Sequence, residues 1–308
     1  MVAEILEKIV RPLSWVDYLV LSIMLLISAL IGLYFAWQDR KKKNLNTEDY
    51  LLGGREMEAW PVSLSLTASF MSSITVLGTP VEFYMNGSMF IWCALAYCLV
   101  PIVTAVFFIP VFYPLKISTS YQYFRLRYGS KALELASSTV YTIQTMLYMG
   151  IVLYAPSLAL NQVTGINLWA AAAINTVICT VYTVLGGLKA VIWTDAFQAM
   201  TIIVGFISVI AVGSKDFGGM GNISAIYESA GRYFFTDFRI DPRIRHTFWT
   251  IQFGSVLGIW GGVFGINQSM VQRYFSCKSM KTAQRSVLYS AFGLVIILVL
   301  CIRIFLEI

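Results

Sequence analysis

Eight apolar stretches, at about 15–37, 60–85, 89–114, 134–160, 167–185, 188–213, 248–271 and 284–306, are each long enough to cross roughly 30 Å of bilayer hydrocarbon. A chain inside hydrocarbon finds no water for its amides and carbonyls, so it must satisfy them internally. The chain is therefore read as an all-α polytopic membrane protein forming one transmembrane domain. Its composition agrees: 58% of residues are hydrophobic and 12% charged, against about 25% charged in soluble domains. Little is left over for a soluble domain.

The formal charge of +6 reads as topology rather than as a nucleic-acid surface. Arg40 to Lys43 and Arg55 follow the first span, Lys116, Arg125, Arg127 and Lys131 the third, Lys189 the fifth, and Arg273, Lys278, Lys281 and Arg285 the seventh. The short intervening loops, 86–88 and 161–166, carry no base. Positive-inside counting predicts cytoplasmic basic loops, an extracellular N-terminus and an extracellular 214–247 loop. The first apolar run is too long for a signal-peptide core and is expected to stay as an anchor. Cys93, Cys98, Cys179, Cys277 and Cys301 form no CxxC or disulfide pattern, and His246 is the single histidine. That leaves no support for a metal hydrolase or a serine triad, so the chain is not expected to be an enzyme. No selectivity-filter run or charged ring points to a channel. Asn222 opens a glycosylation sequon on the expected outer side; Asn86 and Asn267 open two others in less suitable places.

Most informative within the spans is 60–85. Ser69, Ser72, Ser73 and Thr75 cluster at its middle, Gly78 and Pro80 follow, and Glu82 lies further on. A polar interruption at that depth is tolerated where it faces protein or a wet cavity, and broken helices of this kind offer carbonyls to a coupling ion. The alternative is a continuous helix packed through small residues and bent at Pro80. The linker before it, 39–60, reads as solvated and cytoplasmic. The third span carries Pro101, Pro110 and Pro114, and 117–131 suits a short interfacial helix. Gln144 and Tyr148 are the polar exceptions in the fourth span. At 181–198 a Gly186–Gly187 turn separates two spans, and Asp195 enters the second with Gln198 about one turn beyond. An acid within a span is a functional candidate; the bland reading is a surface acid satisfied by water and Lys189. In the seventh span Gly254, Gly258 and Gly262 predict close packing, and the crowding of Gly261, Gly262 and Gly265 predicts a second discontinuous helix.

Four stretches carry a family resemblance: YLLGGREM at 50–57, SFMSSITVLGTP at 69–80, VYTVLGGLKAVIWTDAFQ at 181–198 and NQSMVQR at 267–273. Together they resemble the sodium/solute symporter family. TVLGTP and LYMGIVLYAPSLALNQVTG are most similar to its sodium-coupled monocarboxylate subgroup, with the multivitamin and iodide transporters close by. The resemblance implies a LeuT-like inverted-repeat fold, here incomplete: a leading helix at 15–37, a first five-helix repeat over about 60–213, an extracellular loop at 214–247 and two helices of a second repeat at 248–306. It implies sodium-coupled symport of a small organic anion across the plasma membrane, with Na+ as coupling ion and no other cofactor. By the same resemblance Na+ is expected at the Ala68 and Met71 carbonyls and the Ser72 hydroxyl, and leaves past Asp195 and Gln198. Thr75, Tyr148 and Phe264 are expected to line the substrate cavity, although a packing role suits Tyr148 and Phe264 equally. The chain is expected either to be part of a longer protein or to be a truncated form that associates with a full-length partner without transporting.

Overall fold

The structure, a computed structural model, describes residues 14–41, 47–216 and 234–305. Asn222 lies outside them. Eleven helical elements carry the argument. They are α1 (Trp15–Arg40), α2 (Thr47–Leu52), α3 (Ala59–Phe70), α4 (Ser73–Asn86), α5 (Ser88–Leu115), α6 (Gln122–Tyr128), α7 (Lys131–Thr164), α8 (Leu168–Asp216), α9 (Phe248–Ile266), α10 (Gln268–Phe275) and α11 (Met280–Phe305). Among the described residues the β-structure is one isolated bridge, between Met57 and Cys277.

Local chemistry sets the boundaries. The Ser130 hydroxyl accepts from the Leu133 amide at 3.2 Å to open α7, and Gly165 closes it at φ 72. Thr247 and Thr250 form a reciprocal capping box at the start of α9. In α5 the helix widens into a π-helical turn, Thr104–Phe108, just after Pro101 removes a backbone donor.

At 1.5 Å per residue the 49 residues of α8 would stretch about 70 Å, more than twice the hydrocarbon thickness. Gly187 breaks it, at φ 57 and ψ −162. The Tyr182 side chain meets that of Gln198, 16 positions later and roughly 24 Å away on a straight helix, so the chain reverses there. A Cβ at Gly187 would lie 3.0 Å from the Tyr50 carbonyl, which reserves the position for glycine. The arms 168–186 and 188–216 are thus two spans. Six helices pass a membrane test on length and hydropathy, the α3–α4 pair adds a seventh, and the reversal in α8 makes eight. Their limits agree closely with the eight apolar stretches.

Span 60–85 is broken. Its halves meet at 55°, and the interruption falls at Met71 and Ser72, whereas Pro80 sits inside an unbroken α4. The linker before it is a correction to the expectation. Leu52 is fully buried, Gly53 is buried and Met57 is only 6% exposed, because this segment packs back under the bundle instead of entering solvent. The Met57 amide donates to the Ser276 carbonyl at 3.0 Å, and the Lys278 amide to the Met57 carbonyl at 3.2 Å.

The core lies where α3, α9, α10 and α11 converge around Leu66, Phe70, Phe264, Tyr274 and Leu294. Gly293 of α11 lets the helix approach the Thr67 side chain, which an added Cβ would meet at 2.6 Å. By contrast α7 buries little beyond Ser157. Loop contacts sort the bundle into two ends. At one end the segments around 50–58, 113–120, 183–189 and 268–278 touch one another; these hold or adjoin the basic clusters. At the other, 82–92 meets 234–252.

Candidate functional site

The break between α3 and α4 leaves backbone groups to account for. The Met71 amide donates to the Thr67 carbonyl at 3.0 Å, and the Val76 amide to the Ser72 carbonyl at 2.9 Å. Thr75 is folded back, its hydroxyl donating to the Phe70 carbonyl at 3.3 Å and its amide to the Ser72 hydroxyl at 3.3 Å. For the carbonyls of Ala68, Ser69 and Met71 no donor is found among the described residues. Free carbonyls near mid-span are hard oxygen ligands of the kind a monovalent cation takes. Two of the three expected Na+ ligands therefore have open acceptor positions. The third, Ser72, caps α4 in this conformation.

A second irregularity faces the first. Pro156 in α7 lacks the amide that would have bonded the Val152 carbonyl. The Ser73 hydroxyl takes that acceptor at 3.2 Å, tying the start of α4 to α7. Tyr148 lies one turn before Val152 and is half exposed.

One face of α3 carries Ser65 and Ser69, four apart, and both reach Asp195 on the 188–216 arm of α8. The Asp195 Oδ2 accepts from the Ser65 hydroxyl at 2.7 Å, from Ser69 at 3.5 Å and from the Arg273 guanidinium of α10 at 3.0 Å. Arg273 also donates to the Ser65 hydroxyl at 2.8 Å and to the Ser269 carbonyl at 2.6 Å. The charged side chains are 11% and 14% exposed, so the acid is inside the protein. Lys189, the partner of the bland reading, pairs instead with Glu56 at 3.3 Å. Gln198 lies near by but contacts Tyr182. Arg273 and Ser65 thus join Asp195 although the sequence reading gave them no such place, and Ser69 was singled out there only as part of the mid-span hydroxyl cluster. The i, i+4 serine pair was the available signal.

Phe264 is fully buried, its ring 5.1 Å from that of Phe70, which in turn meets Tyr97 at 5.6 Å. Thr75 and Phe264 are therefore both gathered about Phe70. In this conformation Phe264 presents no free surface. The second discontinuity exists, displaced from the glycine cluster. Residues Phe253–Trp260 form a π-helical stretch, α9 ends at Ile266, and α10 restarts after Asn267 at ψ 128. The Asn267 Oδ1 caps the new helix through the Ser269 amide at 2.9 Å and accepts from the Tyr141 hydroxyl at 3.2 Å. Gly265 allows the Phe108 ring to lie where a Cβ would be 2.8 Å away. Among the described residues no three His, Cys, Asp or Glu side chains group as a metal site.

Two interrupted helices, in contact through the Phe70 and Phe264 rings and the bond from Arg273 to Ser65, are the scaffold of a membrane transporter. The sodium:solute symporter family model matches residues 50–308, and the chain belongs to that family. It is 48% identical over 278 residues to sodium-coupled monocarboxylate transporter 1 of Homo sapiens, covering 90% of this chain and 45% of the relative. Against sodium-coupled monocarboxylate transporter 2 of Bos taurus it is 47% identical over 282 residues, 92% of this chain and 45% of the relative. The sodium/iodide cotransporter of Homo sapiens is 43% identical over 296 residues, 96% and 45% of the two chains. The chain thus spans about 45% of the length of these relatives. A solved structure of a Na+-coupled sialic acid symporter in a substrate-bound outward-open state superposes with a TM-score of 0.84 at 25% identity, covering 96% of this chain and 60% of that one. The fold is LeuT-like.

Proposed function

We propose that this chain forms the sodium-binding half of a symporter for a small organic anion, acting as part of a longer protein in the plasma membrane. The observation that carries this is the break at Met71–Ser72, where no donor to the Ala68 and Met71 carbonyls is found among the described residues. Na+ would sit on these carbonyls and on Ser72 once its hydroxyl leaves the α4 cap, and would depart past Asp195 and Gln198. Asp195 begins that path already held by Arg273 and Ser65, so Na+ would have to compete with a guanidinium for the carboxylate. Thr75, Tyr148 and Phe264 are proposed to line the substrate cavity, with Phe264 moving off Phe70 to do so. The monocarboxylate relatives support a carboxylate as substrate. The basic loops are placed in the cytoplasm and the N-terminus outside. The first repeat runs over about 60–213 and the second begins at 248.

A second reading is a short form that does not transport and associates with a full-length partner. The largely uncovered α7, with 6% of its apolar window buried, favours it. Uptake of a labelled short monocarboxylate into vesicles, with and without a Na+ gradient, tests both. The longest reading frame that contains this sequence should show gradient-driven uptake, and Ser72→Ala should raise the Na+ concentration required. The isolated 308-residue chain should show none. Uptake by the isolated chain would overturn the half-symporter reading, and inactivity of the longer frame would favour the second.

A further inference from the structure

At the end of the bundle away from the basic loops, Glu82 in the last turns of α4 is the hub of a polar clasp. Its Oε1 accepts from the Asn86 amide at 2.8 Å and its Oε2 from Arg245 Nη2 at 3.0 Å, while Arg245 Nε lies 2.9 Å from Oε1. His246 Nε2 lies 3.1 Å from the same Oε1. The clasp therefore joins the second half of the broken span to the residues leading into α9, whose capping Thr247 is next in sequence.

The other imidazole nitrogen is the unusual feature. His246 Nδ1 is buried with no hydrogen-bond partner, and the side chain as a whole is 10% exposed. The ring lies 5.5 Å from that of Phe90 at the entrance to α5. Among the described residues the charged groups facing the imidazole are Glu82 from α4 and Arg245 from its own segment, and α5 brings the Phe90 ring. A neutral imidazole here leaves one lone pair unused. A proton added at Nδ1 creates a buried N–H with no acceptor, in a place where water is excluded, and that is costly.

We infer that His246 is a proton-binding site whose occupancy releases the clasp between α4 and the segment preceding α9. Burial holds the imidazole's pKa below its ordinary 6.5, with Glu82 opposing and Arg245 adding to the effect. The sign follows from linkage. The clasped form binds the proton less well than a form in which His246 is solvated, so the clasp's stability is fully present above the ordinary value of 6.5 and is lost as pH falls through the lowered one. Acid on this side of the membrane thus frees the approach to α9, independently of any sodium bound at the break.

Because His246 is the single histidine in 308 residues, it can be followed alone. The experiment uses the whole chain with a histidine-free tag in lipid nanodiscs and isotope-labelled histidine. The imidazole resonances should titrate with a midpoint below 6.5, moved further down in Glu82→Gln and up in Arg245→Gln. Hydrogen exchange at 240–248, corrected for the intrinsic effect of pH, should then quicken several-fold below that midpoint in the parent chain. In His246→Gln, which keeps a donor toward Glu82 but cannot titrate, this acceleration should vanish. A midpoint at or above 6.5, or the same acceleration in His246→Gln, would overturn the inference.

Discussion

The two ends of the bundle are fastened by different chemistry. At the basic end the linker before α3 carries exposed ion pairs of Glu48, Glu56 and Glu58, but is also held by backbone hydrogen bonds through the Met57–Cys277 bridge, over a buried Leu52 and a buried Asp195–Arg273 pair. At the other end no such backbone bridge is found among the described residues between 82–92 and 234–252, and side-chain charge joins side-chain-to-carbonyl bonds from Ser88, Trp92 and Gln252. Arg245 is 71% exposed where it meets Glu82, and the Asp237–Arg239 and Asp241–Arg243 pairs nearby are more open still on the arginine side or comparable. Buried backbone bonds are insensitive to ionic strength, whereas exposed ion pairs are weakened by salt. The difference shows which conditions should loosen which end.

The largest effect should come from breaking the buried pair. Arg273→Met leaves Asp195 an unpaired charge and is expected to cost about 3–5 kcal/mol, read as a fall in thermal unfolding temperature of the purified chain. Adding Asp195→Asn should restore part of the loss; a double variant no better than the single would deny the coupling. Next is Met57→Pro, which deletes one of the two bridge hydrogen bonds and should cost about 1–3 kcal/mol. Hydrogen exchange at 276–278 should rise with it, while 240–248 stays unchanged.

At the opposite end Glu82→Gln should cost less than the basic-end changes, about 0.5–1 kcal/mol, because its main partner is exposed. Raising NaCl to about 0.5 M should reproduce much of that loosening in the parent chain and leave 276–278 protected. If salt loosened both ends equally, the distinction between them would be wrong. The smallest effect concerns Asp237 and Asp241, whose carboxyls are held below the usual range by hydrogen bonds from Arg239 and Arg243. A lowered carboxyl pKa favours the folded form above the ordinary Asp range, and that contribution disappears as pH falls through the lowered value. Exchange near 237–243 should therefore rise slightly in strong acid, after His246 has already titrated.

Much of the fold was legible because bilayer thickness imposes one length on every span, and the apolar runs display it. The break in 60–85 was legible from its hydroxyl cluster, and Asp195 from the cost of an acid among apolar neighbours. Its partner was not. Arg273 is distant in sequence and reads as one more basic loop residue until α10 turns it inward. The same hydroxyl cluster marked the position of the break: the chain bends at Met71, where Thr75 and Ser72 supply replacement hydrogen bonds, and not at Pro80 as the alternative had it. The burial of 51–57 depends on a backbone pairing with 276–278, which no local pattern announces. Thr75, Tyr148 and Phe264 came from family likeness, and only tertiary packing shows that Thr75 and Phe264 meet at Phe70.

The Ser73 contact with Val152 makes the two halves of the broken span mechanically unequal. With α4 pinned to α7 just past the break, rotation about Met71 and Ser72 swings α3 as a lever of 12 residues, roughly 18 Å long. A tilt of about 10° there displaces the far end by roughly 3 Å on that length. That is as long as the 3.0 Å hydrogen bond from Met57 to Ser276, so a tilt of that size would have to break this bond, which makes the surface bridge a latch on the torsion at two residues in mid-membrane.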